Sequence, residues 1–335
     1  MGEIKIQVFY PPSERSIVLR TELDWDRDIE PSYTSDDRTI TEFVVRTDRH
    51  HFYFKPCLAG GEHTWSRGSN YLATDGGDGI RRVYPVFRSD LRGTFSDVVN
   101  VRSEDGGAEH GLRVYFPPGY EENVLKRYPV LYMHDGSNLF FPEEAFGGNE
   151  WRVDENLEQL DAMCLVDKVI VVGVYARDRM HEYTRPGYER YGRLLVEQVK
   201  PMIDSRLRTL PDAQNTAVMG SSLGGVVSFF LAWQYPHVFG KAACLSSTFG
   251  YRDDLMERVR SEPRRDVRFY LDSGWPRDNY EATTAMRDHL LAAGYEYGRD
   301  LLHFAFPGAL HDEVSWSARS HVPFQFFFGK VPRFR

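Results

Sequence analysis

Thr216-Ala217-Val218-Met219, then Gly220-Ser221-Ser222-Leu223-Gly224, then Gly225-Val226-Val227-Ser228-Phe229-Phe230-Leu231-Ala232-Trp233: this stretch decides how the chain is read. The first four residues are short and apolar enough for a buried strand, and the last nine carry no proline and read as a buried helix. Between them stands G-x-S-x-G, a pattern that gains chemical meaning when a strand precedes it and a helix follows. The turn forces the central serine into a strained backbone conformation, which tolerates only small neighbours at Gly220 and Gly224. Ser222 Oγ is thereby lifted above the sheet edge as a candidate nucleophile, and the N–H of Leu223 faces the same point.

Outward from this motif, residues from Leu112 onward alternate between apolar strands and helices. Strands are expected at 130–133, 168–174, 217–219, 241–245, 268–271 and 302–306. Helices are expected at about 154–161, 188–206, 223–234, 254–261 and 280–293. Near-continuous apolar strands alternating with helices imply a mostly parallel sheet covered on both faces. Residues 3–100 have a different texture, with strand-like runs at 4–10, 16–23, 40–46, 51–55 and 80–87. Polar turns such as 35–38 and 75–79 separate them, which suggests a small β-sandwich. The stretch 103–109 reads as a linker or hairpin turn. Two domains are therefore expected: an immunoglobulin-like β-sandwich over 1–102 and an α/β domain over 103–335.

The composition narrows the class. With 335 residues, 41% hydrophobic and 27% charged, the chain can bury a full core. Its net charge of −8 and the lack of a basic run speak against a nucleic-acid partner. No apolar run approaches the roughly 20 residues of a membrane span, and no charged and apolar leader opens the chain, so the reading is cytoplasmic. Cys57, Cys164 and Cys244 form neither a zinc spacing nor a disulfide framework, and no metal or other cofactor is expected. Aromatics at 14% suit a surface for rings or sugars, or a large core.

Serine at its own pKa is a poor nucleophile; it needs a base, and the base needs a third group to orient it. In the chain order of an α/β-hydrolase, acid and histidine follow the serine on loops past later strands. The last expected strand runs into Pro307-Gly308-Ala309-Leu310-His311-Asp312, which makes His311 the candidate base. His303 falls inside that strand, His289 lies mid-helix, and His321 follows a helical stretch near the tail. The strand at 268–271 leads into Asp272-Ser273-Gly274-Trp275-Pro276-Arg277-Asp278-Asn279, so Asp278 and Asp272 are the candidate acids, with Glu281 a distant third. Asp278 is favoured on loop position, although it also fits a helix N-cap, while Asp272 fits a turn cap. An oxyanion hole needs two backbone donors. Leu223 N–H supplies one, and Gly136 or Ser137 in His134-Asp135-Gly136-Ser137-Asn138 supplies the other, with Asp135 holding that loop in shape.

In order along residues 110–330, these motifs resemble a family of esterases with the α/β-hydrolase fold that includes enterochelin esterases, esterase D and feruloyl esterases. The resemblance rests on Pro117-Pro118-Gly119-Tyr120, Tyr128-Pro129-Val130-Leu131-Tyr132, His134-Asp135-Gly136 and Arg179-Met180-His181-Glu182-Tyr183. It continues through Gly220–Gly225, Tyr235-Pro236-His237-Val238-Phe239-Gly240 and Gly308-Ala309-Leu310-His311-Asp312. The family implies a metal-independent serine hydrolase with Ser222 as nucleophile and His311 as base. Two departures stand out: Ala309-Leu310 replaces the second glycine of the family's G-G-H-D, and the loop before the acid is stretched to Gly274-Trp275-Pro276-Arg277-Asp278. The stretched loop leaves room for a bare serine–histidine pair. Trp25, Trp65, Arg67 and Asn70-Tyr71 suggest the immunoglobulin-type module found before such esterases, with the tryptophans either against sugar rings or in a core or interface.

The function this implies is carboxylic-ester hydrolysis through an acyl-enzyme, on a small-molecule ester or lactone. A siderophore trilactone is the first expectation, an acylated carbohydrate (feruloyl or acetyl) the second and acyl transfer the third. A binding protein with an inactive core is the contrasting class, and the intact serine, histidine and aspartate set argues against it. Oligomeric state has no signature in the sequence.

Overall fold

The computed structural model describes residues 2–74, 80–102 and 109–330. The expected turn at 75–79 and all but Glu109 of the expected linker at 103–109 lie outside the described residues. Among the described residues the large sheet has nine strands. Six of them run parallel in the order Ile170–Val174, Val130–Met133, Thr216–Ser221, Lys241–Leu245, Arg268–Trp275 and Leu301–Pro307. Glu109–Phe116 lies antiparallel beside Ile170–Val174. This is the α/β-hydrolase fold preceded by a β-rich region.

The apolar runs are continuous because both faces of the sheet are covered. Alternate residues go to opposite cores: Val130, Tyr132, Ile170, Val172 and Val218 to one, Leu131, Met133, Val171, Ala217 and Met219 to the other. The first core is closed by the helices Gly187–Leu194, Leu223–Gln234, Leu255–Ser261 and Tyr280–Ala292, and the second by Val153–Ala162, Glu313–Arg319 and His321–Phe328. The continuous helix expected over 188–206 is instead Gly187–Leu194 and Lys200–Arg206, joined by a widened turn over Leu195–Val199. Pro201 explains the break, since it lacks an N–H and its ring clashes with the carbonyl four residues back.

The N-terminal strands form two further sheets. One runs Tyr33–Thr34, Ile40–Thr47, Gly2–Phe9, Ile80–Val83; the other is built on Ile17–Thr21 and His51–Leu58. Period-two alternation sends Ile4, Ile6, Val8 and Phe43 from one sheet against Leu19, Phe52 and Phe54 from the other. Two short strands, Thr94–Phe95 and Val99–Arg102, pair with Glu109–Phe116. The chain thus enters the large sheet before residue 103. Their two- and four-residue lengths and mixed polarity leave no period to read.

Trp25 and Trp65 lie outside the apolar core of this region, their rings 6.2 Å apart, with Arg20 stacked over Trp65. The β-rich region is tied to the α/β part through Ser69, whose N–H and Oγ donate to the Ala162 carbonyl, and through the loop at Glu122–Asn123. Asn123 Nδ2 donates to the carbonyls of Phe9 and Pro85 at 2.9 Å each. Glu122 accepts from the N–H groups of Phe87 and Ser89, from Ser89 Oγ and from Tyr10 OH, at 2.6–2.9 Å. Burial works to raise the Glu122 pKa, but those donors outweigh it and hold the carboxylate at about 2.

Because the folded pKa lies below the ordinary value, this stabilisation is present in full above about pH 4.5 and is lost as pH falls through about 2. Glu122→Gln should destabilise the chain by roughly 1–3 kcal/mol at neutral pH. Thermal melts of both proteins should show the gap closing between pH 5 and pH 2; a gap that stays constant with pH refutes the tie at Glu122.

Candidate active site

The turn after Thr216–Ser221 is held by contact distances. Ser222 has φ 55° and ψ −119°, and its N–H donates to the Leu245 carbonyl at 2.9 Å. A Cβ on Gly220 would stand 2.6 Å from the Gly224 carbonyl group, and one on Gly225 would stand 1.9 Å from Ser247 Oγ. Gly220 meets backbone and requires glycine, a Cβ on Gly225 would have to displace the Ser247 hydroxyl, and the strained serine sits where strand and helix nearly touch.

Ser222 and His311 line the same open cleft, of about 510 Å³, together with Ser137, Asn138, Arg179 and Trp316. His311 Nδ1 lies 2.5 Å from Asp278 Oδ1. A carboxylate only accepts, so Nδ1 carries a proton, and in the neutral imidazole the lone pair is then on Nε2. Asp278 Oδ2 accepts from Ser246 Oγ at 2.6 Å, from Gly274 N–H at 2.6 Å and from Arg319 Nη2 at 3.4 Å. Burial pushes its pKa up, yet the hydrogen bonds from His311, Ser246 and Gly274 outweigh that and lower it. Asp278 is left ionised. Its backbone has φ 111°, and the following helix begins from Asn279, not from an Asp278 cap.

Asp272 is neither at a strand end nor in a turn. The strand continues to Trp275, and Asp272 is fully buried inside it. Its Oδ1 accepts from Arg319 Nε at 3.1 Å and its Oδ2 from Tyr270 OH at 2.8 Å. Burial lifts its pKa to about 6 against the pull of Arg319. Asp272 and Asp278 thus share one buried guanidinium, and only Asp278 reaches the imidazole. Glu281 is exposed on the helix Tyr280–Ala292. His303 pairs with Leu271 in the sheet, and burial draws its pKa down to about 4.

Of the three candidate oxyanion donors, Ser137 lines the cleft beside Ser222, whereas Gly136 is packed so closely that a Cβ would lie 2.3 Å from Tyr175. Leu223 opens the helix after Ser222, where N–H groups have no partner within the helix. Asp135, at φ 55°, receives Arg179 Nε at 2.9 and 3.1 Å, and Arg179 Nη2 donates to the Ser221 carbonyl at 3.3 Å. Arg179 therefore ties the Asp135 loop to the serine turn. No motif in the sequence points to Arg319, Ser246 or Trp316, whose Nε1 donates to Ser246 Oγ at 2.9 Å. An arginine on a helix, between Ala318 and Ser320, carries no local signature of a partner 47 residues away.

One carboxylate cluster also arises from folding. Single ligand atoms of Glu150, Asp154 and Glu155 lie within 4.8 Å of one another. Burial, then repulsion from Glu155, raises the Asp154 pKa to about 8, so protons relieve the crowding.

A parallel sheet with a strained serine turn at the carboxyl end of a central strand defines the chain as an α/β-hydrolase. It belongs to the family described as "Putative esterase", whose model matches residues 103–317. An endo-1,4-β-xylanase/feruloyl esterase of Xylanibacter ruminicola is 25% identical over 300 residues, covering 86% of this chain and 37% of that protein. The chain spans 37–62% of the length of the curated relatives it matches. Among solved structures, the ferric enterobactin esterase of Salmonella typhimurium superposes with a TM-score of 0.58 at 13% identity, covering 97% of this chain and 94% of that one. A ferulic acid esterase gives 0.57 at 18% identity, over 71% of this chain and 98% of that one.

The shared guanidinium separates the two aspartates by experiment. Asp272→Asn removes the nearer of the two carboxylates on Arg319, leaves Asp278 at 3.4 Å as its counter-charge, and should cost roughly 1–3 kcal/mol of stability. Denaturant titration of that variant checks it. A loss within half a kilocalorie would mean Asp272 is not the counter-ion that Arg319 needs.

Proposed function

We propose that the chain hydrolyses carboxylic esters through Ser222, His311 and Asp278. Ser222 Oγ attacks the ester carbonyl while His311 Nε2 accepts its proton. The carbonyl–alcohol bond breaks, and the same proton passes to the departing alcohol. Water then attacks the acyl-enzyme by the reverse proton path, releasing the acid. Asp278 holds the imidazole with its proton on Nδ1 and stabilises the imidazolium formed during attack. Ser137 and Leu223 N–H groups face the oxyanion, with Gly136 allowing the loop to pass close to Tyr175. The observation that carries this reading is the 2.5 Å His311–Asp278 contact opening onto the cleft that also holds the strained Ser222.

The substrate we propose is a lactone or ester whose acid portion carries a phenolic ring, with a siderophore trilactone first. Phe146, Trp151 and Trp316 among the cleft residues and the cationic Arg179 suit an aromatic, anionic acyl group. The whole-length likeness to a ferric enterobactin esterase, β-rich region included, supports it. The second reading, a feruloylated carbohydrate, draws on the xylanase/feruloyl esterase relative and on the Trp25–Trp65 pair. We divide the chain into an N-terminal β-sandwich and a catalytic unit that begins with Thr94–Phe95, since that strand already pairs with the large sheet. Three free cysteines fit a reducing cytoplasm, and no helix among the described residues is long and apolar enough to cross a membrane.

Ser222→Ala should abolish labelling by a fluorophosphonate and leave the melting temperature unchanged. Asp278→Asn should lower kcat on an activated ester by about two to four orders of magnitude with KM little altered. If Asp278→Asn keeps its turnover, the working unit is a Ser222–His311 pair. Chelation should leave hydrolysis unchanged, because Glu150, Asp154 and Glu155 have no part in the reaction. Relative kcat/KM on a catecholate trilactone and a feruloylated sugar decides between the two substrate readings.

A further inference from the structure

A second cavity, of about 570 Å³, lies at the other end of the large sheet. Asp135, Ala176 and Ser222 follow the carboxyl ends of their strands, whereas the walls here come from residues that precede the amino ends of the same strands. Lys126 and Arg127 lie just before Val130–Met133, and Lys168 just before Ile170–Val174. The opposite wall is Arg67, Arg81 and Arg82 from the β-rich region, and Lys330 closes the set. The cavity therefore spans the junction between the two parts of the chain, a strand length or more from the cleft.

Its charge runs against that of the chain. The whole sequence has net charge −8, with 41 lysines and arginines in 335 residues. At that density the nineteen lining residues would include about two cations; they include seven. Asp161 and Asp167 are the acids among the described lining residues, and they face Lys168 at 2.5 Å and Lys330 at 4.0 Å. The described lining is left with a formal charge of +5.

Among the described residues, two of the lining side chains, Lys126 and Arg81, have no carboxylate on them. Lys126 Nζ stands 5.1 Å from the Tyr84 ring centre and 5.4 Å from that of Tyr128, over aromatic faces and not on a carboxylate. Desolvation draws its pKa down, as expected of an ammonium short of counter-charge. Arg81 Nε is buried with no hydrogen-bond partner among the described residues. A junction that served adhesion alone would pair or omit such groups, because clustered like charges and an unmet buried donor both oppose folding.

We propose that this junction cavity binds a small phosphorylated anion carrying two or more phosphoryl groups, gripped by Arg81 and Lys126. Arg81 and Lys126 together ask for more than the one charge a single carboxylate carries, whereas a di- or triphosphate answers both, and guanidinium and ammonium groups both suit phosphoryl oxygens. The volume lies in the usual range for a small-molecule site. The Tyr84 ring, which lines the cavity beside Lys126, offers an apolar face to an organic moiety. The inference is independent of the esterase reading, since none of these residues lines the cleft that holds Ser222.

Inorganic pyrophosphate is the probe, titrated calorimetrically into the full chain. One site per chain is expected, with a sub-millimolar Kd that weakens at least severalfold between about 50 and about 300 mM KCl. Lys126→Gln and Arg81→Gln should each weaken binding about tenfold or more. Both should hydrolyse p-nitrophenyl acetate at the wild-type rate, which also shows that they are folded. Absence of binding by the wild-type chain at low salt overturns the proposal whatever the variants do. So does binding that both folded variants retain unchanged, or that is lost in competition with a cleft-directed fluorophosphonate.

Discussion

Everything in the cleft hangs on a backbone torsion. A non-glycine residue at φ 55° and ψ −119° is strained by about 1–3 kcal/mol, and it persists only where its surroundings over-determine it. Here the surroundings are rigid. The helix behind Ser222 is buried from Leu223 to Trp233 and cannot rotate to relieve the strain. Gly220 and Gly225 let the strand, the helix and the next strand approach to within contact, and the Ser222 N–H is fastened to Leu245. Arg179 adds a second tie, because it binds the Asp135 carboxylate and the Ser221 carbonyl with the same guanidinium. The serine and the loop proposed to supply the oxyanion donor are thereby held relative to each other, as preorganisation requires.

Two carboxylates near one arginine behave differently for reasons visible in their donors. Asp272 is fully desolvated, with Tyr270 OH and one guanidinium edge to answer it, and its pKa rises to about 6. Asp278 is answered by an imidazole, a hydroxyl and a backbone N–H, and its pKa falls. Each also repels the other's charge, so the first being reluctant to ionise helps the second. This division, one carboxylate spent on structure and one kept as an anion against histidine, follows the general pattern by which neighbouring acids acquire separate roles.

The parts of this arrangement that were legible in the sequence are those with a local period or a local steric rule. Val130–Met133, Lys241–Leu245 and Leu223–Gln234 stand where uninterrupted apolar runs place them, and His311 follows a strand as loop position implied. What could not be read depends on partners far along the chain. Asp272-Ser273-Gly274 looks like a turn by composition, yet it is strand, because Arg319 and Tyr270 satisfy the aspartate inside the sheet. The strands Asp24–Ile29 and Val99–Arg102 are polar and short, and exist through pairing alone. That Gly136 has to be glycine rests on the packing of Tyr175, which no spacing encodes.

The lengthened loop 274–278 need not displace the acid, and the reason is geometric. A Cβ on Gly274 would lie 2.1 Å from the Ala309 carbonyl, so the loop that carries His311 rests directly on this backbone. From there the chain leaves the sheet through Trp275-Pro276-Arg277 and turns back at Asp278, whose φ of 111° is of the kind that reverses a chain. The carboxylate then accepts from the Gly274 N–H, four residues earlier, at 2.6 Å. Pro276 and Arg277 thus pass beyond the strand, whose last residue Trp275 is half exposed, while the aspartate returns to the strand at Gly274. Loop length and acid position are decoupled by one backbone hydrogen bond and one glycine. A carboxylate can therefore reach the histidine from a spacing that the family pattern alone would not admit.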